Sequence, residues 1–387
     1  MPARFSSLTE RLRSIGPAQA ATSVVVVNAV LAVPSMAAPQ SLTAALSYIL
    51  GFAVTVAVLW AVARGPNPDR RTWQFVAAAA SCWLLGDLIE RFVPAWERVF
   101  NGAGVPDVLW LSGYPLLALG VLLRVRRRGL HLGTWRELLL DSAALTVSAG
   151  VVAWQLMVVP AADPDATMLS TAISVLYPVG DVLLFAMVCV LALAPGSRTG
   201  DRLLGGWLVA TLVIDVSFTL LPTLFVHFDG QWLDGVLLIV NSLLAAAALR
   251  SPLTEGGPAP DTGQQVMPVS RIVLLGAGVL IAPGVACLSP NPHLGTRLLL
   301  ALAAMTVSVI VLVRLFGVVR ARETAERFAA VQASQDGLTG LANRSFLARH
   351  ADSILGDPER AVHSALLFID VDHFKMVNDV YGHAFGD

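Results

Sequence analysis

The sequence predicts a polytopic α-helical membrane domain of about ten spans, followed by a short C-terminal segment in which a β-strand leads into a helix. Hydrophobic residues make up 56% of the 387 residues, charged residues make up only 14%, and the mean hydropathy is +0.69. These values are typical of an integral membrane protein over most of its length. The C-terminal segment differs because its apolar residues form one run of strand length and then recur at helical spacing.

Apolar segments long enough to cross a bilayer follow one another along the first 319 residues. They lie near residues 18–33, 42–63, 73–93, 107–123, 138–159, 169–195, 203–222, 233–249, 272–289 and 297–319. The first could be a signal peptide, but its long lead with Arg4, Arg11 and Arg13 and the spans that follow it favour an uncleaved helix. The first and the third are the two weakest spans, and the third is interrupted by Asp87 and Glu90.

Basic residues cluster in every second connection between the spans. This group consists of Arg64, Arg70, Arg71, Arg124, Arg126, Arg127, Arg128, Arg136, Arg198, Arg202, Arg250 and Arg271. The opposite connections carry only Arg91, Arg98 and Arg297. Because cytoplasmic loops are enriched in Lys and Arg, the pattern predicts a multi-pass protein of the inner (plasma) membrane, surrounded by lipid, with both termini in the cytoplasm. The net charge of −1 does not indicate nucleic-acid binding.

Several acidic residues lie within the spans or at their ends. They are Asp87, Glu90, Asp107, Asp141, Asp181, Asp215 and Asp234. An ionisable side chain in a bilayer is costly unless it faces a partner or water, so it indicates a functional site. Asp107, Asp141 and Asp234 are close enough to span ends to lie at the interface. For Asp87, Asp181 and Asp215, two interpretations stay open, namely ligand or ion sensing and hydrogen bonding between helices.

Two short patterns recur in the membrane domain. They are Gly-Tyr-Pro-Leu at 113–116 against Leu-Tyr-Pro-Val at 176–179, and Trp83 with Asp87 against Trp207 with Asp215. Repeated helix pairs would explain both recurrences, and chance recurrence in apolar sequence would explain them nearly as well.

The last span is predicted to continue as one helix to about Ser334, because no proline interrupts it. Val318, Ala321, Ala325 and Phe328 fall at 3-4-3 spacing, which favours a thin seam for a paired helix over a solvated stalk. The predicted organisation is therefore an N-terminal segment at 1–17, a sensory or anchoring membrane domain at 18–319, a helical stalk at 320–335 and a C-terminal segment at 336–387.

The C-terminal segment places carboxylates between a strand and a helix. The apolar run 365–369 has the length of a buried strand, and Asp370 and Asp372 follow it directly. Carboxylates at a strand end can hold a hard cation, and a helix N-terminus attracts phosphate. An EF-hand is excluded because Phe374 and Lys375 stand where that loop needs an Asp or Asn and a Gly. A solvated turn is the alternative from the Asp-x-Asp pattern alone.

The wider pattern around these carboxylates is more specific. It consists of Asp370, Asp372, Phe374, Lys375, Asn378, Asp379, Gly382, His383, Gly386 and Asp387. Upstream, residues 336–344 read Asp-Gly-Leu-Thr-Gly-Leu-Ala-Asn-Arg. Together the two motifs resemble the first half of a GGDEF domain, the catalytic domain of diguanylate cyclases. The resemblance covers residues 336–387 and does not extend to the membrane domain.

The resemblance implies an α+β fold with a central sheet, similar to the palm of nucleotide cyclases. It implies an enzyme that condenses two GTP molecules into cyclic di-GMP across a symmetric homodimer, with Mg²⁺ or Mn²⁺ as the cofactor. It assigns the metal to the Asp370 carboxylate and the Val371 carbonyl, and phosphate to the backbone N–H groups of His373 and Phe374 and the charge of Lys375. It assigns the guanine edge to Asn378 and Asp387, and we assign no catalytic residue in this segment.

The sequence departs from the family because it stops at Asp387, before the Gly-Gly-(Asp/Glu)-Glu-Phe turn. That turn would supply a further metal carboxylate and close backbone contacts to the nucleotide. We therefore expect the chain to be the N-terminal part of a longer membrane-bound diguanylate cyclase, and to be inactive alone. The alternative is a membrane receptor whose degenerate GGDEF module binds nucleotide or a partner. A transporter that uses the intramembrane acids is a third, weaker hypothesis, because transport has no need of a GGDEF segment.

Overall fold

The structure is a computed structural model that describes residues 16–93, 104–160, 167–195, 198–225, 230–251, 269–288, 294–357, 362–365 and 367–383. Two compact units are present, Met1–Arg314 and Leu315–Asp387, and each is described by itself.

The first unit is built from consecutive long helices. They are α1 (Pro17–Ala37), α2 (Leu42–Arg64), α3 (Arg70–Phe92), α4 (Val105–Arg126), α5 (Leu132–Ala153, extended by a π-helical turn at Trp154–Val158), α6 (Met168–Leu193), α7 (Thr199–Leu224), α8 (Leu233–Leu249), α9 (Val269–Leu288) and α10 (Leu294–Gln332). Within the described residues, nine of these helices, all except α9, are long and apolar enough to cross a membrane. In α9 the apolar part covers Leu275–Val285. The sequence therefore predicted nine of the ten spans at the correct positions, and a membrane crossing by α9, the span predicted at 272–289, stays a prediction.

A large buried core holds α1–α8 together. Trp73, Leu117, Leu184, Trp207 and Leu238 are among its fully buried side chains. Small residues allow close helix packing in a membrane, and the runs of alanine in α3 and α8 are buried in this core. Large apolar side chains cover the outside of the helices, as a lipid-facing surface requires.

Helices α5, α9 and α10 pack through two smaller clusters. Ala144, Leu275 and Val307 form one, and Val151 with Leu300 forms the other. The Ser148 hydroxyl donates a hydrogen bond to the backbone carbonyl of Gly278 at 3.0 Å, where the glycine allows α5 and α9 to approach closely. The first part of α10 is thereby attached to α5 and α9.

Side-chain contacts show that the helix ends meet at two opposite ends of the bundle. At one end, Arg124 near the end of α4 contacts Asp69 before α3 and Asp201 at the start of α7. We call this the arginine end. At the other, Arg91 at the end of α3 contacts Asp234 at the start of α8. We call this the cavity end, for the cavity described below.

The second unit contains the continuation of α10, then α11 (Arg344–Leu355) and α12 (Phe374–Tyr381). Both helices lie where the sequence predicted them, and α10 ends two residues before the predicted limit at Ser334. The backbone of the predicted seam is helical, but the side chains of Ala321, Ala325 and Phe328 lie outside the described residues. The seam therefore stays a prediction.

The predicted strand at 365–369 is not seen in the part of the chain that the structure describes. Leu367, Phe368 and Ile369 belong to no helix or strand there, and their side chains are 80–83% exposed. The single β-bridge among the described residues joins Gln335 and Ala342. A strand forms only when another strand pairs with it, so the α+β fold of this segment stays a prediction.

Candidate functional site

The first motif of the C-terminal segment forms a closed turn between α10 and α11. One carboxylate oxygen of Asp336 accepts hydrogen bonds from the backbone N–H groups of Leu338 (3.2 Å) and Thr339 (3.0 Å) and from the Thr339 hydroxyl (2.9 Å). These bonds, chiefly that from the Thr339 backbone, hold the pKa of Asp336 below its usual value. Gly340 has a φ of 70°, which only glycine adopts without strain.

The same turn is closed from the other side by Asn343. Its amide nitrogen donates to the backbone carbonyls of Ala333 at 2.8 Å and Gln335 at 3.2 Å, and its amide oxygen accepts from the backbone N–H of Phe346 at 3.0 Å. The last bond caps the N-terminus of α11. Asp336 and Asn343 are thus structural residues that set the direction of the chain after the stalk.

The second motif places its proposed metal and phosphate residues at the start of α12. Asp370 and Val371 lie outside any helix or strand, and His373 directly precedes the helix with a φ of 61°. This left-handed backbone conformation costs roughly 1–2 kcal/mol for a non-glycine residue, and such strain is often stored at functional sites. The Phe374 N–H donates to the Val371 carbonyl at 3.3 Å, so the two backbone groups that the resemblance assigns to phosphate and metal face each other.

The donor set fits a hard divalent cation. Asp370 is exposed, and its carboxylate and the Val371 carbonyl are oxygen donors of the kind that Mg²⁺ prefers. The Val371 carbonyl keeps a second lone pair besides the one that accepts from Phe374. Among the described residues, no group of three or more His, Cys, Asp and Glu side chains could hold a metal ion. This segment therefore offers part of a metal site.

Of the two residues proposed to contact guanine, the structure describes only Asn378. The amide oxygen of Asn378 is buried and has no hydrogen-bond partner among the described residues, which leaves it able to accept from a nucleobase. Asp387 and Gly386 lie outside the described residues. Lys375 is exposed in the first turn of α12.

The intramembrane acids form a second candidate site. Asp87, Asp181 and Asp215 lie on three different helices, and all three line one cavity of about 600 Å³ within the helical domain. The cavity is also lined by Glu90, Arg91 and Asp234, which lie near the ends of α3 and α8. The sequence left open whether these acids bind a ligand or join helices. The structure separates Asp87, which joins helices, from Asp181 and Asp215.

Asp87 joins helices. It accepts hydrogen bonds from the Tyr48 hydroxyl of α2 at 3.0 Å and from the indole N–H of Trp110 of α4 at 2.9 Å. Arg91, one turn further along α3, pairs with Asp234 of α8 at 2.5 Å and lies over the Tyr48 ring at 4.5 Å from its centroid. No motif or spacing in the sequence distinguishes Tyr48 and Trp110 from other aromatic residues of the spans, so their role could not be predicted.

Two of the acids near span ends are also paired. Asp107 accepts a hydrogen bond from the Tyr177 hydroxyl at 2.6 Å. Asp141 is fully buried and pairs with Arg314 of α10 at 2.9 Å, which also contacts Glu137 at 2.9 Å. Asp141 therefore lies inside the helical domain and fixes α10 against α5.

Aromatic rings form the wall beside Asp181 and Asp215. Trp83 packs edge-on against Tyr114 with ring centroids 5.9 Å apart, and against Trp207 at 6.1 Å. The Trp83 ring lies directly on the backbone of Gly113, and a Cβ at Gly180 would come within 2.8 Å of the Tyr114 ring. The residues of the two recurring patterns therefore meet in one cavity, while the repeat itself stays a prediction.

The helices define a class of protein, a helical membrane protein with nine candidate spans among the described residues. Its C-terminal motifs resemble part of a nucleotide-handling domain. Residues 333–387 match the family described as "Diguanylate cyclase, GGDEF domain". No solved structure matches the chain.

Three relatives are similar over the same part. Diguanylate cyclase DgcN of Escherichia coli K12 is 46% identical over 55 residues, which is 14% of each chain. Diguanylate cyclase TpbB of Pseudomonas aeruginosa UCBPP-PA14 is 48% identical over 59 residues, 15% of this chain and 14% of the relative. Biofilm architecture maintenance protein MbaA of Vibrio cholerae is 46% identical over 55 residues, 14% of this chain and 7% of the relative.

The C-terminal segment therefore belongs to the GGDEF family of diguanylate cyclases, as its two motifs predicted. The similarity spans 7–14% of the length of these three relatives and 14–15% of this chain.

Proposed function

We propose that this chain is the N-terminal part of a membrane-bound diguanylate cyclase that condenses two GTP molecules into cyclic di-GMP. The observation that carries the proposal is the match of residues 333–387 to the GGDEF family, with the motif residues from Asp370 to Asp379 in place. The membrane domain would receive a membrane or extracytoplasmic signal and pass it through α10.

The residues of the segment suit phosphoryl transfer, which depends on positioning and charge neutralisation. Asp370 and the Val371 carbonyl would hold Mg²⁺ or Mn²⁺, which when bound neutralises phosphate charge and orients the attacking hydroxyl. The N–H groups of His373 and Phe374 and the ammonium of Lys375 would bind phosphate oxygens, and Asn378 the guanine edge. Because two GTP molecules react with each other, a second copy of the chain, paired through the stalk and the GGDEF domain, would bring the second GTP.

A domain exchange tests the assignment. Residues 333–387 replace the matching stretch of DgcN, and cyclic di-GMP formation from GTP is measured at saturating Mg²⁺, with dimer content checked. We expect the exchanged protein to be active and Asp370→Asn to abolish turnover, because an amide of the same shape lacks the negative charge that the metal needs. Lys375→Ala should weaken GTP use.

Asp372→Asn is the matched control for Asp370→Asn. Asp372 carries the same charge two residues away but is not assigned to the metal, so its change should cost less. If Asp370→Asn kept near-normal turnover, the metal assignment would be wrong. If the exchanged protein bound GTP without turnover, a nucleotide-binding receptor would replace the enzyme.

We also propose that the polypeptide 1–387 makes no cyclic di-GMP alone. The Gly-Gly-(Asp/Glu)-Glu-Phe turn is not in its sequence, so the segment offers one metal carboxylate where the family uses more. Product above background from the purified polypeptide, with GTP and Mg²⁺, would contradict this.

The proposed location is the inner membrane, with both termini in the cytoplasm. Its support is the concentration of arginines in every second connection, which are the connections of the arginine end. Reporter fusions after Gly129 and Arg322 should report cytoplasm, and fusions near Asp163 and Asp229 should report the outside. A cytoplasmic signal near Asp163 would contradict the proposed topology.

A further inference from the structure

The cavity of the helical domain has the features of a ligand site that the GGDEF segment does not explain. We propose that it binds a small organic cation, with an ammonium group between Asp181 and Asp215 and an apolar body against Trp83, Tyr114 and Trp207. The proposal concerns binding to the membrane domain, so it does not rest on cyclase activity.

Asp181 and Asp215 are two cavity acids for which the described part of the chain provides no hydrogen-bond donor and no ion-pair partner. Asp181 is 6% exposed, Asp215 is half-buried, and both line the cavity. No described group donates a hydrogen bond to either carboxylate, and neither forms an ion pair with a described side chain. A buried carboxylate without a partner is costly, so two such groups facing one cavity favour a cationic ligand between them.

Several other polar groups of the cavity wall have protein partners. The indole N–H of Trp83 donates to the Trp110 carbonyl at 2.9 Å, and that of Trp207 donates to the Asn241 side chain at 3.2 Å. Asp87 and Asp234 have the partners described above. The Thr211 hydroxyl, which also lines the cavity, has no hydrogen-bond partner among the described residues and is available to a ligand. The bonded groups hold the wall in place around the two carboxylates, as in a preformed ligand pocket.

The size and walls of the cavity distinguish an organic cation from a metal ion. Its volume of about 600 Å³ lies in the range of small-molecule pockets and is far larger than a bare ion needs. Neither Asp181 nor Asp215 belongs to a group of three possible metal ligands among the described residues. Tryptophan and tyrosine faces attract organic cations through their π-electrons.

The net charge of the cavity also favours a cation. Its described lining contains the acids Asp87, Glu90, Asp181, Asp215 and Asp234, and one basic residue, Arg91. Arg91 is occupied by Asp234. An anionic ligand would face repulsion from the two unpaired carboxylates, and a neutral one would leave their charge uncompensated.

Three probes that share one ring and differ in charge test the proposal. The purified 387-residue chain in detergent micelles is titrated with 2-phenylethylammonium, 2-phenylethanol and phenylacetate, and binding is followed by calorimetry and by the shift of the melting temperature. We expect saturable binding and a raised melting temperature with the ammonium probe only. Equal binding of the alcohol would overturn the proposal in favour of a neutral ligand. An equal shift with sodium chloride alone would replace it with an inorganic cation site.

Variants of the cavity locate the binding. Asp181→Asn and Asp215→Asn should each weaken binding of the ammonium probe by about tenfold or more, because a charged hydrogen bond is lost. Trp83→Leu should weaken it less, through the lost cation–π contact. Glu323→Gln removes an exposed charge from the stalk helix and is the matched control, with unchanged binding. Unchanged binding in both Asp variants, each shown to be folded by its own melting curve, would place the probe elsewhere and refute the site.

Discussion

A buried acid at the arginine end and another towards the cavity end differ in whether an arginine pairs with them. At the arginine end, Asp201 is 4% exposed and is held by Arg124 at 2.6 Å and Arg128 at 3.0 Å. Towards the cavity end, Asp181 is almost as buried, but no described side chain pairs with it. Arg91, which lines the same cavity, pairs with Asp234 instead. The same residue type thus joins helices in one place and lines a cavity in the other, because only the first has arginines within reach.

The arginine end is a network that joins the ends of five helices. Arg124 also contacts Asp69 at 2.7 Å and the Ser251 hydroxyl at 2.9 Å, which ties α4 to the start of α3 and the end of α8. Arg128 donates to the backbone carbonyls of Ala194 and Pro195 at the end of α6. Its pKa lies below the usual arginine value because burial disfavours the charge. A network in which each charge has partners stabilises helix packing.

The largest effect should come from breaking this network at its centre. Arg124→Met leaves Asp201 and Asp69 buried with fewer partners, and should destabilise the helical domain by roughly 3–5 kcal/mol. Arg127→Met is the matched control, because Arg127 is 41% exposed and lies 3.5 Å from Asp69. It should change stability by about 0–1 kcal/mol. Melting curves in detergent micelles measure both, and similar losses in the two variants would show that the network does not stabilise the fold.

The next effect concerns the aromatic wall of the cavity. Gly113→Ala and Gly180→Ala place a methyl group against the rings of Trp83 and Tyr114, which should destabilise the domain by roughly 1–3 kcal/mol. Gly206→Ala, an exposed position of α7 with open space around it, is the control. It should be neutral or stabilising by up to about 1 kcal/mol. Melting temperatures that ranked the three variants in another order would contradict the ring positions.

A smaller effect compares one acid from each end. Without ligand, Asp181→Asn should raise stability by on the order of 1 kcal/mol, because an unpaired buried charge is removed. Asp201→Asn should lower it, because two arginines lose their charged partner. Opposite shifts of the melting temperature would confirm the contrast between the ends. A loss of stability in Asp181→Asn would show that its carboxylate has a stabilising partner.

The smallest effect tests a third way of holding a carboxylate, by backbone N–H groups at the exposed turn of the C-terminal segment. Because its pKa is lowered, Asp336 stabilises this turn above the usual Asp pKa of about 3.9, and the stabilisation is lost as the pH falls through the lowered value. Amide hydrogen exchange at Leu338 and Thr339, corrected for the intrinsic pH dependence, should quicken in that range. Asp336→Asn should quicken it already at neutral pH, whereas Asp352→Asn in α11 should not.

The positions of the spans and of the two C-terminal motifs could be predicted from the sequence alone. The thickness of the bilayer core sets the length of an apolar helix, so a run of suitable length indicates a span without knowledge of its neighbours. The strand at 365–369 differs from the spans because it stays a prediction. An apolar run indicates a strand only if other strands pair with it, and pairing depends on residues far away in the chain.

The roles of the buried acids were decided by the tertiary structure. Arg124 and Asp201 are 77 residues apart in the sequence, and Arg314 and Asp141 are 173 apart, so no local pattern indicates that they meet. Nor does a local pattern indicate that Asp181 faces a cavity without a partner. Hydropathy and spacing tell which residues of a helix are apolar, but only the packing of distant helices determines which charges are neutralised and which remain available to a ligand.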